Sequence, residues 1–151
     1  MMFKSEPRQI LLAEDNPSDV TVFLRAFRNH KTKEHWELQV VANGLAALEF
    51  LYRQDQFAEA KRPDLVVLNI NMPRVNGWEV LRKMKADPQL RRIPTVIWTV
   101  AQMEEYDARA YDLGACGIFS KPVDSKEAEL QIDAILTYFT WANPSPPLVS
   151  T

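Results

Sequence analysis

Short apolar runs alternate along this chain with longer segments of helical period. The first run, Gln9-Ile10-Leu11-Leu12-Ala13, stops at Glu14-Asp15-Asn16-Pro17. Asp15 or Asn16 can cap a helix there, and Pro17 suits its first turn, where the missing N–H would be unpaired anyway. Val20, Phe23, Leu24 and Phe27 then fall on one helical face. Trp36, Leu38 and Val40 alternate with Glu37 and Gln39, the pattern of an edge strand. Leu45 to Tyr52 reads as a second helix. Leu65-Val66-Val67-Leu68 is unbroken apolar sequence, which a strand buried on both faces requires. A third helix runs through Trp78, Leu81 and Met84 and closes at Asp87-Pro88. Thr95–Val100 is the fourth strand, Glu104 to Leu113 the fourth helix with Gly114 as its left-handed cap, and Cys116–Ser120 the last strand. Asp124-Ser125-Lys126-Glu127 has capping-box spacing, and the final helix carries Leu130, Ala134, Tyr138 and Trp141 on one face.

Strand and helix alternating in this way predict an α/β fold: a doubly wound, five-stranded parallel sheet with helices on both faces, flavodoxin-like in arrangement. The expected boundaries are a flexible N-terminus over 1–7, one domain over 8–142 and a Pro-rich tail over 143–151. Ligands of such sheets gather beyond the C-terminal strand ends, which singles out Glu14-Asp15, Asn69, Thr99 and Lys121. Composition excludes more than it names. Eighteen basic against twenty acidic residues give a net charge of −2, without the basic excess of a nucleic-acid or anionic-membrane binder. No apolar stretch is long enough to cross a membrane and no signal-type segment opens the chain, so a cytoplasmic location is expected. A single cysteine, Cys116, permits no internal disulfide and is expected inside the last strand. His30 and His35 have no acid or cysteine partners at metal-like spacing and read as surface residues. No Gly-rich phosphate loop follows the first strand, which disfavours a flavodoxin-fold enzyme or flavin carrier.

The stretches ILLAEDNPSD, RPDLVVLNINMPRVNGWEVL, IPTVIWT and DLGACGIFSKPVD stand in this order at the strand ends. Together they resemble a two-component response-regulator receiver domain across residues 8–141. ADPQLRRIP with YDLGACGIFSKP further resembles the single-domain regulators that partner bacterial and cyanobacterial phytochromes. The resemblance implies phosphoryl transfer from a kinase histidine to an aspartate with Mg²⁺. It implies that Glu14, Asp15 and the backbone carbonyl of Asn71 hold the metal, that the Thr99 hydroxyl and the Lys121 ammonium meet the phosphoryl oxygens, and that the Lys121–Pro122 bond is cis. Lys121 is accordingly expected to reach the Glu14–Asp15 pair.

The acceptor position is the departure, because Asn69 stands where the family has an aspartate. A carboxamide lacks the anionic oxygen that attacks phosphorus, so no acyl phosphate forms on it, and the lost charge weakens the expected Mg²⁺ site. Two further positions differ. Val100 follows Thr99 where the family keeps a small residue, and Ile118 replaces the aromatic whose rotamer reports phosphorylation, with Phe119 pointing to the opposite face. The expected protein is therefore a receiver, not an enzyme, that acts by docking to a histidine kinase, a phytochrome among the candidates, or by dimerising. The alternative is an ordinary phosphoaccepting regulator in which Asn69 replaces a natural aspartate. Tyr138, Phe139 and Trp141 cannot all share the buried face of the last helix. That leaves aromatic surface for a homodimer through this helix and its neighbours, unless the C-terminal tail folds back over it.

Overall fold

The computed structural model describes residues 6–30, 35–100 and 104–142, with the backbone alone for 141 and 142. Five strands, β1 (Arg8–Ala13), β2 (Trp36–Val41), β3 (Leu65–Leu68), β4 (Thr95–Thr99) and β5 (Gly117–Ser120), form one parallel sheet in the order β2-β1-β3-β4-β5. Helices α1 (Pro17–Asn29), α2 (Gly44–Leu51), α3 (Gly77–Ala86), α4 (Glu104–Asp112) and α5 (Ser125–Ala142) connect and cover it. This is the doubly wound sheet that the alternating pattern predicts.

Alternation within the strands divides the core in two. Leu11, Ala13, Val66, Leu68 and Ile97 pack with Leu48, Leu51, Trp78, Leu81, Met84 and Ala110 of α2, α3 and α4. Ile10, Leu12, Leu65, Val67, Val96 and Trp98 pack on the other face with Phe23, Ala26, Ile132, Ile135 and Leu136 of α1 and α5. Each fully buried aliphatic side chain contributes roughly 1.5–3 kcal/mol relative to exposure, so strands β1, β3 and β4 anchor both layers at once. The local signals work as read. Asn16 caps α1 by accepting from Ser18 and Asp19 N–H, Pro17 opens the helix, and Gly114 takes a φ of 94°.

The last helix is where the expected face is wrong. Ala128, Ile132, Ile135, Leu136 and Phe139 are buried, whereas Leu130, Ala134 and Tyr138 are exposed. Phe139, expected as partner surface, is therefore a core residue at 5% exposure. The side chain of Trp141 and the tail over 143–151 lie outside the described residues. Polar bonds from β1 and β2 join apolar burial in holding the helix in this rotation: Trp36 Nε1 donates to Thr140 Oγ1 at 3.2 Å, and Arg8 donates to the Phe139 carbonyl at 3.3 Å. His30 is buried, not at the surface, with Nε2 2.9 Å from Thr137 Oγ1 and 3.5 Å from Asp133. Cys116 precedes β5 and is exposed; its N–H continues the ladder to Thr95 while its side chain turns outward.

One glycine sets the position of the site. Gly77 starts α3 directly beneath the loop that leaves β3, and its N–H donates to the Ile70 carbonyl at 2.8 Å. A Cβ there would lie 2.3 Å from the Asn69 carbonyl oxygen and 2.9 Å from Ile70 Cα. Both are backbone atoms that cannot rotate aside. Gly77→Ala is expected to cost about 1–3 kcal/mol of stability, read as a lowered midpoint in urea unfolding. An unchanged midpoint would show that α3 can slide away from the loop.

Candidate functional site

The backbone ladder runs one residue beyond the strands. Glu14 N–H donates to Val41 O at 3.0 Å, Asn69 N–H to Ala13 O at 3.0 Å, and Lys121 N–H to Thr99 O at 2.7 Å. The polar residues that terminate the apolar runs are thereby held as rigidly as the strands. Glu14, Asn69, Thr99 and Lys121 are all buried, while Asp15 and Asn71 face solvent.

Asn69 lies at the centre. Its Nδ2 donates to Glu14 Oε2 at 3.1 Å, Asp15 Oδ1 at 3.0 Å and the Asn71 carbonyl at 3.2 Å. Three acceptors around one amide fix its orientation, since Oδ1 in that place would face only lone pairs. Glu14 Oε2 also accepts the Asn16 N–H at 3.1 Å. Burial pushes the Glu14 carboxyl above its ordinary pKa, against the smaller pull of its hydrogen bond and charge contact with Lys121. Asn69 Oδ1 and Thr99 Oγ1 are buried without a hydrogen-bond partner among the described residues.

Lys121 reaches Glu14, as expected, but not Asp15. Its ammonium pairs with Glu14 Oε1 and with Asp19 Oδ2 at 2.9 Å, and it sits 4.9 Å from the Trp98 ring centroid. Sequence reasoning missed Asp19. An acid in the first turn of α1 has an ordinary explanation in the helix dipole, and only the fold brings β5 alongside that turn. Ile118 is buried against the α2–α3–α4 layer, Phe119 packs with the opposite layer, and Val100 is 64% exposed just past β4. The Lys121–Pro122 bond is not cis: among the described residues no peptide bond is, and trans is the lower-energy form for X–Pro.

A hard cation takes oxygen ligands, and Glu14, Asp15 and the Asn71 carbonyl converge on one point, the Asn69 Nδ2. The donor set fits such an ion in kind. It is short of charge, with two carboxylates, one of them already paired with Lys121. Among the described residues no group of three or more His, Cys, Asp or Glu side chains forms a metal cluster, and no helix is long and apolar enough to cross a membrane.

A parallel sheet of order 2-1-3-4-5, with an acidic pair after β1, a hydroxyl on the last residue of β4 and a lysine after β5, defines a class of signalling domain. Residues 10–133 match the response regulator receiver domain, and the chain belongs to that family. Response regulator Rcp1 of Synechocystis is 32% identical over 88% of this chain and 89% of its own length. The polar-differentiation response regulator DivK of Brucella anthropi is 31% identical over 78% and 86%. Among solved structures, the phosphorylated cyanobacterial phytochrome response regulator RcpA superposes with a TM-score of 0.83 at 29% identity, covering 93% of this chain and 97% of that one. The Mn²⁺-bound form of Rcp1 gives 0.83 at 28% identity, covering 95% and 100%. The chain is thus a receiver of two-component signalling.

Asn69→Asp replaces a donor by a third carboxylate facing Glu14 and Asp15. The variant is expected to lose about 1–3 kcal/mol of metal-free stability and to bind Mg²⁺ more tightly than the parent. Thermal melting with and without Mg²⁺ measures both. Equal metal-free melting of the two proteins would contradict the electrostatic account.

Proposed function

We propose that this receiver works without an aspartyl phosphate, influencing other proteins by docking and by pairing with a second copy. The observation that carries the reading is the Asn69 amide donating to Glu14, Asp15 and the Asn71 carbonyl. Phosphoryl acceptance needs an anionic oxygen at this position, and a carboxamide supplies N–H donors instead. Those donors meet the same oxygens that would hold Mg²⁺. A bound ion would supply charge neutralisation there, but its ligands must first give up the amide, so its affinity is weakened. Val100 and Ile118, at the two switch positions, support the same reading, since neither is the small residue or the aromatic that couples phosphorylation to output in the family.

The partner is proposed to be a histidine kinase of the phytochrome class, a reading supported by the likeness to Rcp1 and RcpA. The second copy is supported by where apolar surface remains. Val100, Tyr111, Val123, Leu130 and Tyr138 are the large hydrophobic residues exposed among the described ones, and all lie from the end of β4 onward. Leu130 and Tyr138 are eight positions apart on α5, with exposed Ala134 between them. A homodimer through α5 and the neighbouring elements would cover them.

A second reading, an ordinary phosphoacceptor in which Asn69 stands for a natural aspartate, is favoured by one observation: Glu14, Asp15, Thr99 and Lys121 are all present at the strand ends around position 69. On that reading the Asn69→Asp variant takes up a phosphoryl group and changes its association state in response; on ours its association state does not respond.

Incubation of the unsubstituted protein with acetyl phosphate and Mg²⁺ is expected to leave its intact mass unchanged. An acid-labile gain of about 80 Da, the mass of a phosphoryl group, located at residue 69 would overturn the proposal. Independently, Leu130→Asp with Tyr138→Asp should weaken self-association by about 30-fold or more, as loss of a central apolar anchor does. Light scattering across a concentration series reads this, and a parent chain that stays monomeric at high concentration rules out the pairing.

A further inference from the structure

Lys121 leaves the end of β5 level with the site, its backbone N–H tied to the Thr99 carbonyl. Its side chain is only 4% exposed, so its ammonium must find its partners inside the protein. Glu14 is a partner that keeps the lysine close to position 69, because Oε1 pairs with Lys121 while Oε2 accepts from Asn69. Asp19 acts in the other direction. It belongs to the first turn of α1, and its Oδ2, 2.9 Å from Nζ, draws the ammonium toward the α1–α5 layer, beside the Trp98 indole. Meanwhile the buried Asn69 Oδ1 and Thr99 Oγ1 have no hydrogen-bond partner among the described residues. The neighbouring cation is shared between Glu14 and Asp19 and donates to neither Asn69 Oδ1 nor Thr99 Oγ1.

We infer that Asp19 is a positioning residue that holds Lys121 away from position 69, so that this receiver carries a second obstacle to phosphoryl transfer, separate from its missing carboxylate. The inference rests on the proposed function only in taking position 69 as the acceptor position. An ammonium shared between two carboxylates is electrostatically satisfied, and a third anion at position 69 must compete for it. The Asp19–Lys121–Glu14 bridge also joins α1 to the end of β5, which gives the acidic site a structural role that needs neither cation nor phosphate.

The test uses the Asn69→Asp protein as background, with Asp19→Asn, Asp19→Ser or Asp19→Glu added. With acetyl phosphate, a carboxylate oxygen at position 69 attacks phosphorus, forming the new O–P bond. The bridging P–O bond to the acetyl group breaks, and acetate leaves with that electron pair. The Lys121 ammonium meets the charge of the phosphoryl oxygens. Initial rates of acid-labile labelling are measured over acetyl phosphate and Mg²⁺ concentrations, with circular dichroism confirming that each variant is folded. Asp19→Asn and Asp19→Ser should each raise the saturating rate at least about tenfold, a modest share of what one well-placed oxyanion donor supplies. The Mg²⁺ dependence should stay unchanged, and Asp19→Glu should bring the slow rate back. Equal rates with and without the Asp19 charge, zero in both included, would overturn the inference. So would an acceleration that Asp19→Glu fails to reverse, or disagreement between Asp19→Asn and Asp19→Ser. Failure of the underlying reading appears separately, as labelling of the unsubstituted protein at residue 69.

Discussion

The parallel hydrogen-bond ladder does not end where the apolar runs end, and the rest of the site follows from this. Glu14, Asn69 and Lys121 each donate a backbone N–H to the neighbouring strand one step beyond regular β-structure. Three polar side chains are thereby fixed at the mouth of a sheet whose central strands are buried on both faces. A polar group in that position cannot retreat to water, so it must be satisfied by its neighbours. Burial has a visible consequence in the Glu14 carboxyl, whose proton affinity rises despite a lysine in direct contact. The composition of the basin is then decided by charge. Glu14 and Asp15 converge on the point that Asn69 occupies, and a neutral donor placed there removes a repulsion that a third carboxylate would create.

The Asn69 amide does two things at once. It presents no anionic oxygen, and it supplies N–H groups to oxygens whose usual requirement is positive charge. The lysine bridge between α1 and β5 completes an arrangement in which the site is internally compensated: Asn69 serves Glu14, Asp15 and Asn71, and Lys121 serves Glu14 and Asp19. These contacts tie α1, the loop after β3 and the end of β5 together at one point. Beyond the basin, α5 offers one face to the core and another, with Leu130 and Tyr138, to solvent.

The element pattern was readable before any coordinates because local physics determines it. Continuous Leu65–Leu68 suits a strand covered on both faces, alternating Trp36–Val41 suits the sheet edge where β2 lies, and Asn16-Pro17 and Gly114 are termini for stereochemical reasons. The strand-end residues were readable too, because the topology of a doubly wound sheet says where the chemistry must gather. The face of α5 was not. Its apolar residues fall on more than one stripe, and two of the stripes are plausible in isolation. Partners from distant segments, buried Trp36 and His30 and half-buried Arg8, favour one of them by hydrogen bonding to Thr140, Thr137 and the Phe139 carbonyl.

What the sequence determined by itself is the order of elements, the parallel sheet and the identity of the groups at its C-terminal edge, including the Asn69 amide. Tertiary structure alone decided which of those groups touch. Asp19 is five residues from Glu14 on a helix and far in sequence from Lys121, and its pairing with that lysine depends on the crossing of α1 over the sheet. Likewise, Phe139 is core and Tyr138 surface in a rotation of α5 held by apolar packing and by hydrogen bonds to residues more than a hundred positions away. Periodicity and motif spacing report what a segment prefers, whereas long-range electrostatics and packing choose among partners that no local pattern ranks.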